Sequence, residues 1–320
     1  MPNPIIPLSD RILAKFGRPR ALWTVVWGCV AFCAYQISSL YPSAAYPGLG
    51  FAVASAYVNI LALWGVGNLA EGLNAIQPLI ARIRGGCPEE TAARPFRPVG
   101  STAGPLLLGL AGIGLMFAVH FVRYPNAITA VTYPILFVGW LPTACLVWVC
   151  FALFWGLDRL GRIPLRLTSF HQDRSLGLAS VGKVANSAFV LLLTAIVPFA
   201  FFAGRDPLNV GLIFAYLAAG IVLFVMSSYR LHEQMVGAKR AYLTHVRSLH
   251  DEAFAPAQAD NWSLEALSAH AGRISAAEAF ERRVASIHEW PIPDAVLVKS
   301  AALATAIITG VVVRLILHWI

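Results

Sequence analysis

The chain has 320 residues, of which 58% are hydrophobic and only 12% are charged. A soluble domain carries about 25% charged residues, so this composition excludes an ordinary soluble protein and indicates that most segments face lipid or one another. The formal net charge of +8 would suit a polyanionic partner, but the positions of the basic residues explain it better as membrane topology.

Seven apolar segments reach the length needed to cross a membrane, which is about 20 residues of helix. They predict an all-α, polytopic helical membrane protein with about seven transmembrane helices. The first segment follows four basic residues in 1–20, but it is longer than the apolar core of a signal peptide, so we interpret it as an uncleaved span. The segments are 21–41, 49–70, 104–122, 131–157, 185–204, 208–228 and 295–317.

The basic residues are concentrated on one side of this arrangement. Twenty of the 24 lysines and arginines lie in the amino terminus and in three loops on the same side, whereas the opposite side holds only Arg123 and Arg205. Because loops rich in lysine and arginine stay in the cytoplasm, the amino terminus is predicted to be cytoplasmic and the carboxyl terminus outside. The predicted organisation is a cytoplasmic amino-terminal segment, 1–20; a six-span membrane bundle, 21–228, with cytoplasmic loops at 71–103 and 158–184; a cytoplasmic helical hairpin, 229–292; and a final transmembrane helix, 293–320.

The stretch from Pro207 to Ala255 begins as the sixth span and continues without a further proline as a charged helix. Such a helix would be about 70 Å long, and over half of it would project beyond the bilayer. Leu231 and Met235 begin an apolar stripe on its cytoplasmic part, and a second helical pattern follows at 263–289. Two interpretations are open: the two helices bury their stripes together as an antiparallel hairpin, or part of this surface contacts other subunits.

Polar side chains form a line along the second span and its helical extension. Asn59 lies near mid-depth, and Asn68, Glu71 and Asn74 follow at three-residue steps, which spiral slowly around one side of a helix. Intramembrane polar groups usually face a bundle interior or a water-filled cavity, so this line is the predicted pore lining, joined by Lys299 of the last span. The open alternatives are hydrogen bonds within one subunit, an ion pair of Glu71 with an arginine of the 71–103 loop, and a lysine that reaches the headgroups.

A polar turn precedes the fifth span, with the sequence Ser169-Phe-His-Gln-Asp-Arg-Ser-Leu-Gly-Leu. This turn resembles the His-Pro-Asp-x-x-Gly-Gly-Leu loop of a loose group of uncharacterised bacterial polytopic membrane proteins. Four residues match that loop, namely His171, Asp173, Gly177 and Leu178, whereas Gln172 replaces its proline and Leu176 its first glycine.

The resemblance extends over residues 165–317. In that group the next span is prolonged by a charged cytoplasmic helix, and a Trp-Pro-Phe-like step, similar to Trp290-Pro291-Ile292 here, precedes the final span. Some membrane proteins of similar build are channel-like effectors from bacterial anti-phage operons. The resemblance therefore implies a bacterial inner membrane location and a possible role in antiviral defence.

Together these patterns predict a homo-oligomeric ion channel that a cytoplasmic ligand or partner opens. The alternatives are a non-conducting membrane sensor or scaffold and a small-molecule transporter. The sequence contains no P-loop, nucleophile elbow or HExxH motif, and no metal ligands at convincing spacing, so we predict no enzyme activity, cofactor or metal. The residues predicted to contact an anionic ligand or nucleotide, or to transmit gating, are His171, Asp173, Arg174, Arg230, Lys239 and Arg240.

Overall fold

The computed structural model describes residues 4–15, 19–39, 48–123, 127–167, 174–202, 207–254 and 264–319. All regular structure in these ranges is helical, which confirms the predicted all-α class for this part of the chain. A 3₁₀ helix, Arg94–Gly100, lies between the fourth and fifth α-helices. The α-helices are α1, Leu8–Lys15; α2, Arg20–Ser39; α3, Gly48–Ile83; α4, Glu89–Ala93; α5, Ala103–Arg123; α6, Ala127–Gly161; α7, Ala179–Phe202; α8, Pro207–Phe254; α9, Leu264–Ala285; and α10, Asp294–Trp319.

Within the ranges just given, six stretches of helix are long and apolar enough to cross a membrane. They correspond to the second through seventh predicted spans. The first predicted span coincides with α2, a 20-residue helix, and its passage through a membrane stays a prediction. The six stretches are Ala52–Ile83, Glu89–Leu115, Leu136–Gly161, Ala179–Pro198, Val210–Glu252 and Asp294–Val313.

The core lies where α3 packs against α6 and α7. Each of these helices buries a residue every seven positions, which returns the same face to the neighbour every two turns. This spacing is typical of helices that pack nearly side by side with a small crossing angle. The buried positions are Val66, Leu73 and Ile80 in α3, Leu146, Leu153 and Leu160 in α6, and Val181, Ala188 and Ala195 in α7.

The outer helices expose several of their large apolar side chains. Leu107 of α5, Met226 of α8 and Val298 of α10 are each more than 60% exposed. Apolar surface on this scale marks contact with a membrane or with other protein subunits. This arrangement fits a multi-pass membrane protein, in which the lipid-facing surface is apolar.

Helix α8 is one continuous helix of 48 residues, about 70 Å long. Its carboxyl-terminal part packs against α9. Two ion pairs, Arg247–Glu281 at 3.8 Å and Lys239–Glu289 at 3.1 Å, show that the chain runs back antiparallel to α8. Leu231 and Met235 of the apolar stripe are fully buried.

Candidate functional site

The polar line of α3 changes its surroundings along the helix. Asn59 is 1% exposed, and its Nδ2 donates to the carbonyl oxygen of Ser55, 2.8 Å away in the preceding turn. Asn68 and Glu71 are exposed, whereas Asn74 is half-buried. The line therefore begins in the packed interior and emerges at the predicted cytoplasmic border.

The amino-terminal segment pairs directly with Asn74. The Ile5 amide donates to Asn74 Oδ1 at 3.0 Å, and Asn74 Nδ2 donates to the Ile5 carbonyl oxygen at 3.2 Å. Gln77, which is 2% exposed, donates to the same Asn74 Oδ1 at 2.8 Å. The carboxamide of Asn74 thus holds an extended backbone in the way that a neighbouring strand would.

Arg20 joins the amino-terminal segment to the same line. Its guanidinium donates to Asp10 Oδ2 at 2.6 Å and to Glu71 Oε1 at 3.0 Å. The guanidinium lies directly over Gly67, in the space that a side chain at that position would need. The structure therefore pairs Glu71 with Arg20, on α2, instead of an arginine of the 71–103 loop.

Helix α1 reaches into the bundle beyond this ion pair. Ser9 and Leu13 are buried, and they line a small cavity together with Trp27 of α2, Leu63 of α3 and Cys145 of α6. Leu63 lies eight residues before Glu71 on α3, a rise of about 12 Å along the helix. Helix α1 thus lies beside α2, α3 and α6 at a level deeper in the bundle than Glu71.

The remaining predicted pore residue, Lys299, is exposed on α10. The next residue, Ser300, is buried and its Oγ donates to Asn186 Oδ1 of α7 at 2.6 Å. Helix α10 contacts α7, and Lys299 points away from that contact. Within one subunit, Lys299 and Glu71 therefore lie on different helices with no bond between them.

Two of the predicted gating residues, His171 and Asp173, lie outside the described residues. Arg174 is exposed, and its carbonyl oxygen accepts from the His288 amide at 3.1 Å. Leu176, which stands where the resembling group has its first glycine, has φ +53° and is fully buried. This left-handed conformation is unfavourable for leucine, so burial of its side chain holds the turn in place.

A second set of contacts ties α8 to the segment before α10. The His232 ring stacks on Trp290 with 4.3 Å between ring centroids, and His232 Nδ1 lies 2.8 Å from the Glu289 carbonyl oxygen. Lys239, with 16% of its side chain exposed, donates to the Ile287 carbonyl oxygen at 3.2 Å and pairs with Glu289. Among the predicted gating residues that the structure describes, Lys239 is therefore the one whose side chain bonds into this junction.

The other two predicted gating residues on α8 are exposed. Arg230 pairs with Glu233 at 3.1 Å on the same helix, and its Cβ contacts Gly161 at the end of α6. Arg240 faces solvent. The structure does not gather Arg174, Arg230, Lys239 and Arg240 into one anion-binding cluster by any bond between them in the described part of the chain.

Gln234 joins α8 to the end of α6, a role that the sequence pattern did not suggest. Its Nε2 donates to the carbonyl oxygens of Gly161 and of Ile163, the latter at 2.8 Å, and its Oε1 accepts from the Leu165 amide at 3.2 Å. One side chain thus satisfies three backbone groups where α6 ends, as a cap does. In the sequence, the feature that could have indicated this role is an uncharged glutamine among the charged residues of this part of α8.

A groove of about 910 Å³ opens beside Gln234. Leu165, Leu167, Ala238 and Tyr242 form its apolar wall, and Arg162 and His245 lie at its edge. Apolar pockets with a few polar groups are typical of sites for small molecules or for an apolar helix face. The groove lies between α8 and the segment 162–167 that follows α6, at a joint between two elements.

Searches of protein-family models, curated proteins and solved structures found no match to this chain. Within the described ranges, no group of three or more histidine, cysteine, aspartate or glutamate side chains is placed to hold a metal ion.

Proposed function

We propose that the protein is a homo-oligomeric, multi-pass inner membrane protein that conducts ions and that opens when a cytoplasmic ligand or partner acts on α8. The observation that carries this proposal is the pair of junctions on α8. Gln234 bonds to the end of α6, and Lys239 bonds to the segment before α10. A displacement of α8 would therefore be passed to two other membrane helices.

The continuity of α8 gives this coupling its mechanical basis. Gln234 and Lys239 are five residues apart, which places them about 140° apart around the helix. Helix α8 is thus held from two sides just beyond the sixth predicted span, 208–228. A ligand that binds one arrangement of α6 and α8 more tightly than another would shift the equilibrium between them, and the groove beside Gln234 provides a place for it.

The proposed conducting path follows the polar line of α3. In a symmetric oligomer Glu71 would recur as a ring of carboxylates, and such rings favour cations at a constriction. Its side chain is 74% exposed within one subunit, so it can face a shared axis. Lys299, exposed on the loosely packed α10, is the alternative lining residue and would favour anions.

A second candidate function is a non-conducting membrane sensor or scaffold. It is favoured by the bonds of Asn74 and Glu71, which are made within the subunit to Ile5 and Arg20. In that case the polar line would serve to anchor the amino terminus, and α8 would transmit a signal to a bound partner.

Recordings from the purified oligomer in planar bilayers distinguish the two functions. Currents would be measured under a KCl gradient, with cyclic nucleotides and inorganic polyphosphate applied to the cytoplasmic side as anionic probes. Single-channel currents that the probe increases in the parent, but not in Gln234→Leu, would support a gated channel. No current in the parent or in the variants that free the amino terminus, described below, would contradict conduction and support the scaffold.

A further inference from the structure

The amino-terminal segment, residues 4–15, lies against the polar line where that line leaves the bundle. Ile5 is hydrogen-bonded to Asn74 by two bonds, and Asp10 shares Arg20 with Glu71. Helix α1 then extends to Leu63, deeper than Glu71. In the described structure, the segment therefore occupies the cytoplasmic mouth of the proposed path.

The seat of this segment combines apolar and polar contacts. Ile5, Pro7 and Leu13 are buried, and Leu8 packs against the core. Ser9 Oγ and Asp10 Oδ1 are also buried, yet neither finds a hydrogen-bond partner within the described part of the chain. Buried polar atoms without partners destabilise the state that buries them, so the docked position is favoured by a smaller margin than an apolar seat would give.

The docked segment also changes the charge of the path. Arg20 donates to both Asp10 and Glu71, and so places a cation beside the carboxylate that would select cations. If Asp10 leaves with α1, Arg20 loses its shorter ion pair, the one at 2.6 Å. The Glu71 pair that remains is 74% exposed on the glutamate side, where ion pairs contribute little.

From these contacts we propose that residues 4–15 form a releasable plug of this chain's own pore, docked on Asn74 and linked to Glu71 through Arg20 in the closed state. This proposal rests on the proposed conduction and assigns its regulation. Release removes α1 from its place beside α2, α3 and α6 and frees Glu71 to face permeating cations. The same contacts explain why Asn74 and Glu71 are bonded within the subunit although they lie on the conducting path.

A reversible disulfide tests whether release is required. A Cβ placed on Gly100 would lie 3.8 Å from Ile5 Cγ2, which is the position that a cysteine sulfur at residue 5 would occupy. A β-carbon lies closer than this to its partner's sulfur in a disulfide, so a small shift of the segment would close the bond. Ile5→Cys and Gly100→Cys would therefore be combined in full-length protein whose five native cysteines are replaced. We expect oxidation to reduce the current at least tenfold and dithiothreitol to restore it. Equal currents before and after reduction would overturn the plug while leaving the channel.

Thiol labelling tests docking without any need for current. Ser9→Cys would place a thiol at a position that is 4% exposed, and Ile6→Cys would place one at a position that is 41% exposed in the same segment. With a water-soluble maleimide, we expect Ile6→Cys to react at least tenfold faster than Ser9→Cys. Adding Arg20→Met or Asn74→Leu should raise the rate for Ser9→Cys at least fivefold and leave Ile6→Cys unchanged.

The two readouts separate failure of the plug from failure of the channel. Ser9→Cys that reacts as fast as Ile6→Cys in the parent would overturn docking, whatever the currents show. If neither the oxidised nor the reduced form conducts, the proposal of conduction is overturned. The chain would then have no pore for the segment to close. Increased current in both Arg20→Met and Asn74→Leu, with an unchanged oligomer in size-exclusion chromatography, would support release as the opening step.

Discussion

The carbonyl oxygen of Pro291 occupies the space that a side chain at Gly182 would need. The first turn of α7 therefore touches the backbone of the step that leads into α10. The Arg174 carbonyl oxygen and the His288 amide make a hydrogen bond close by, at 3.1 Å. The polar turn before α7 and the Trp-Pro-Ile step, which are far apart in sequence, form one contact.

Replacement of Gly182 by alanine should break this contact. The added methyl group would force the two backbones apart, and overpacking of this kind costs about 1–3 kcal/mol. Gly272→Ala is the matched control because Gly272 also lies within a helix but has open space around its Cβ position. Thermal unfolding in detergent should show a lower Tm for Gly182→Ala and an equal or higher Tm for the control. Equal Tm values in both variants would mean that the two backbones move apart at little cost in stability.

Leu176 offers a test of backbone strain in the turn. Leu176 and Leu178 are both fully buried, but Leu176 alone of the two has a positive φ. Leu176→Gly should relieve strain of about 1–2 kcal/mol while losing the same side-chain burial as Leu178→Gly. We therefore expect Leu176→Gly to destabilise the protein by about 1–2 kcal/mol less than Leu178→Gly does, as measured by denaturant unfolding. A larger loss for Leu176→Gly would show that packing dominates the turn.

Gln234→Leu should weaken the joint between α6 and α8. The change leaves two backbone carbonyl oxygens and one amide without their partner, at a cost of about 2 kcal/mol for these partly buried groups. Glu233→Leu is the neighbouring control, since its pair with Arg230 is exposed and contributes little. Hydrogen exchange at residues 161–167 should accelerate in Gln234→Leu only. Unchanged exchange there would mean that this segment is held by its apolar contacts.

Glu71 is predicted to select the permeating ion. Neutralisation in Glu71→Gln should lower conductance or cation preference, and Glu71→Lys should reverse the preference, because a ring of ammonium groups attracts anions. Glu252→Lys, a charge change at the exposed far end of α8, is the control. Reversal potentials under a KCl gradient measure the preference directly. Currents that ignore both Glu71 changes would move the filter elsewhere, with Lys299 next to be tested.

The termini are predicted to lie on opposite sides of the membrane. Twenty of the 24 basic residues fall in segments assigned to the cytoplasm, and such segments resist translocation. A reporter that is active only outside the cytoplasm should therefore be active when it is fused after Ile320. It should be inactive when it is fused within the loop 71–103. Activity of a cytoplasm-only reporter at the carboxyl terminus would reverse this topology.

Hydrophobic pattern was sufficient to predict the helical class and the long α8, because both depend on local composition and on the absence of prolines. The unbroken stretch from Pro207 predicts a helix to Ala255, and α8 ends at Phe254. The helical extension of the second span is likewise present, and Leu73, Ile76 and Ile80 are buried in this part of α3. These features require no knowledge of which helices are neighbours.

The partners of the polar residues could not be predicted in the same way. Asn74 and Glu71 stand out as a polar line, but Asn74 bonds to Ile5 and Glu71 to Arg20, which are 69 and 51 residues away in the chain. Such pairs depend on the packing of α1 and α2, and a segment as short as 4–15 does not reveal from its own pattern which helices it contacts. Gly67 gave a partial signal, since a glycine in an apolar helix allows close approach, here by the Arg20 side chain.

Because α8 is unbroken, the number of its residues fixes the direction in which Gln234 points relative to the apolar part of the helix. Insertion of one residue between Met226 and Ser227 would turn everything beyond it by about 100° and advance it by about 1.5 Å, so Gln234 would point away from the end of α6. Insertion of seven residues would return the direction to within about 20° but move the junctions along the axis by about 10 Å. The number of residues between the apolar part of α8 and Gln234 is therefore as constrained as the residues themselves, and this helix should tolerate point changes on its exposed face far better than any change in length.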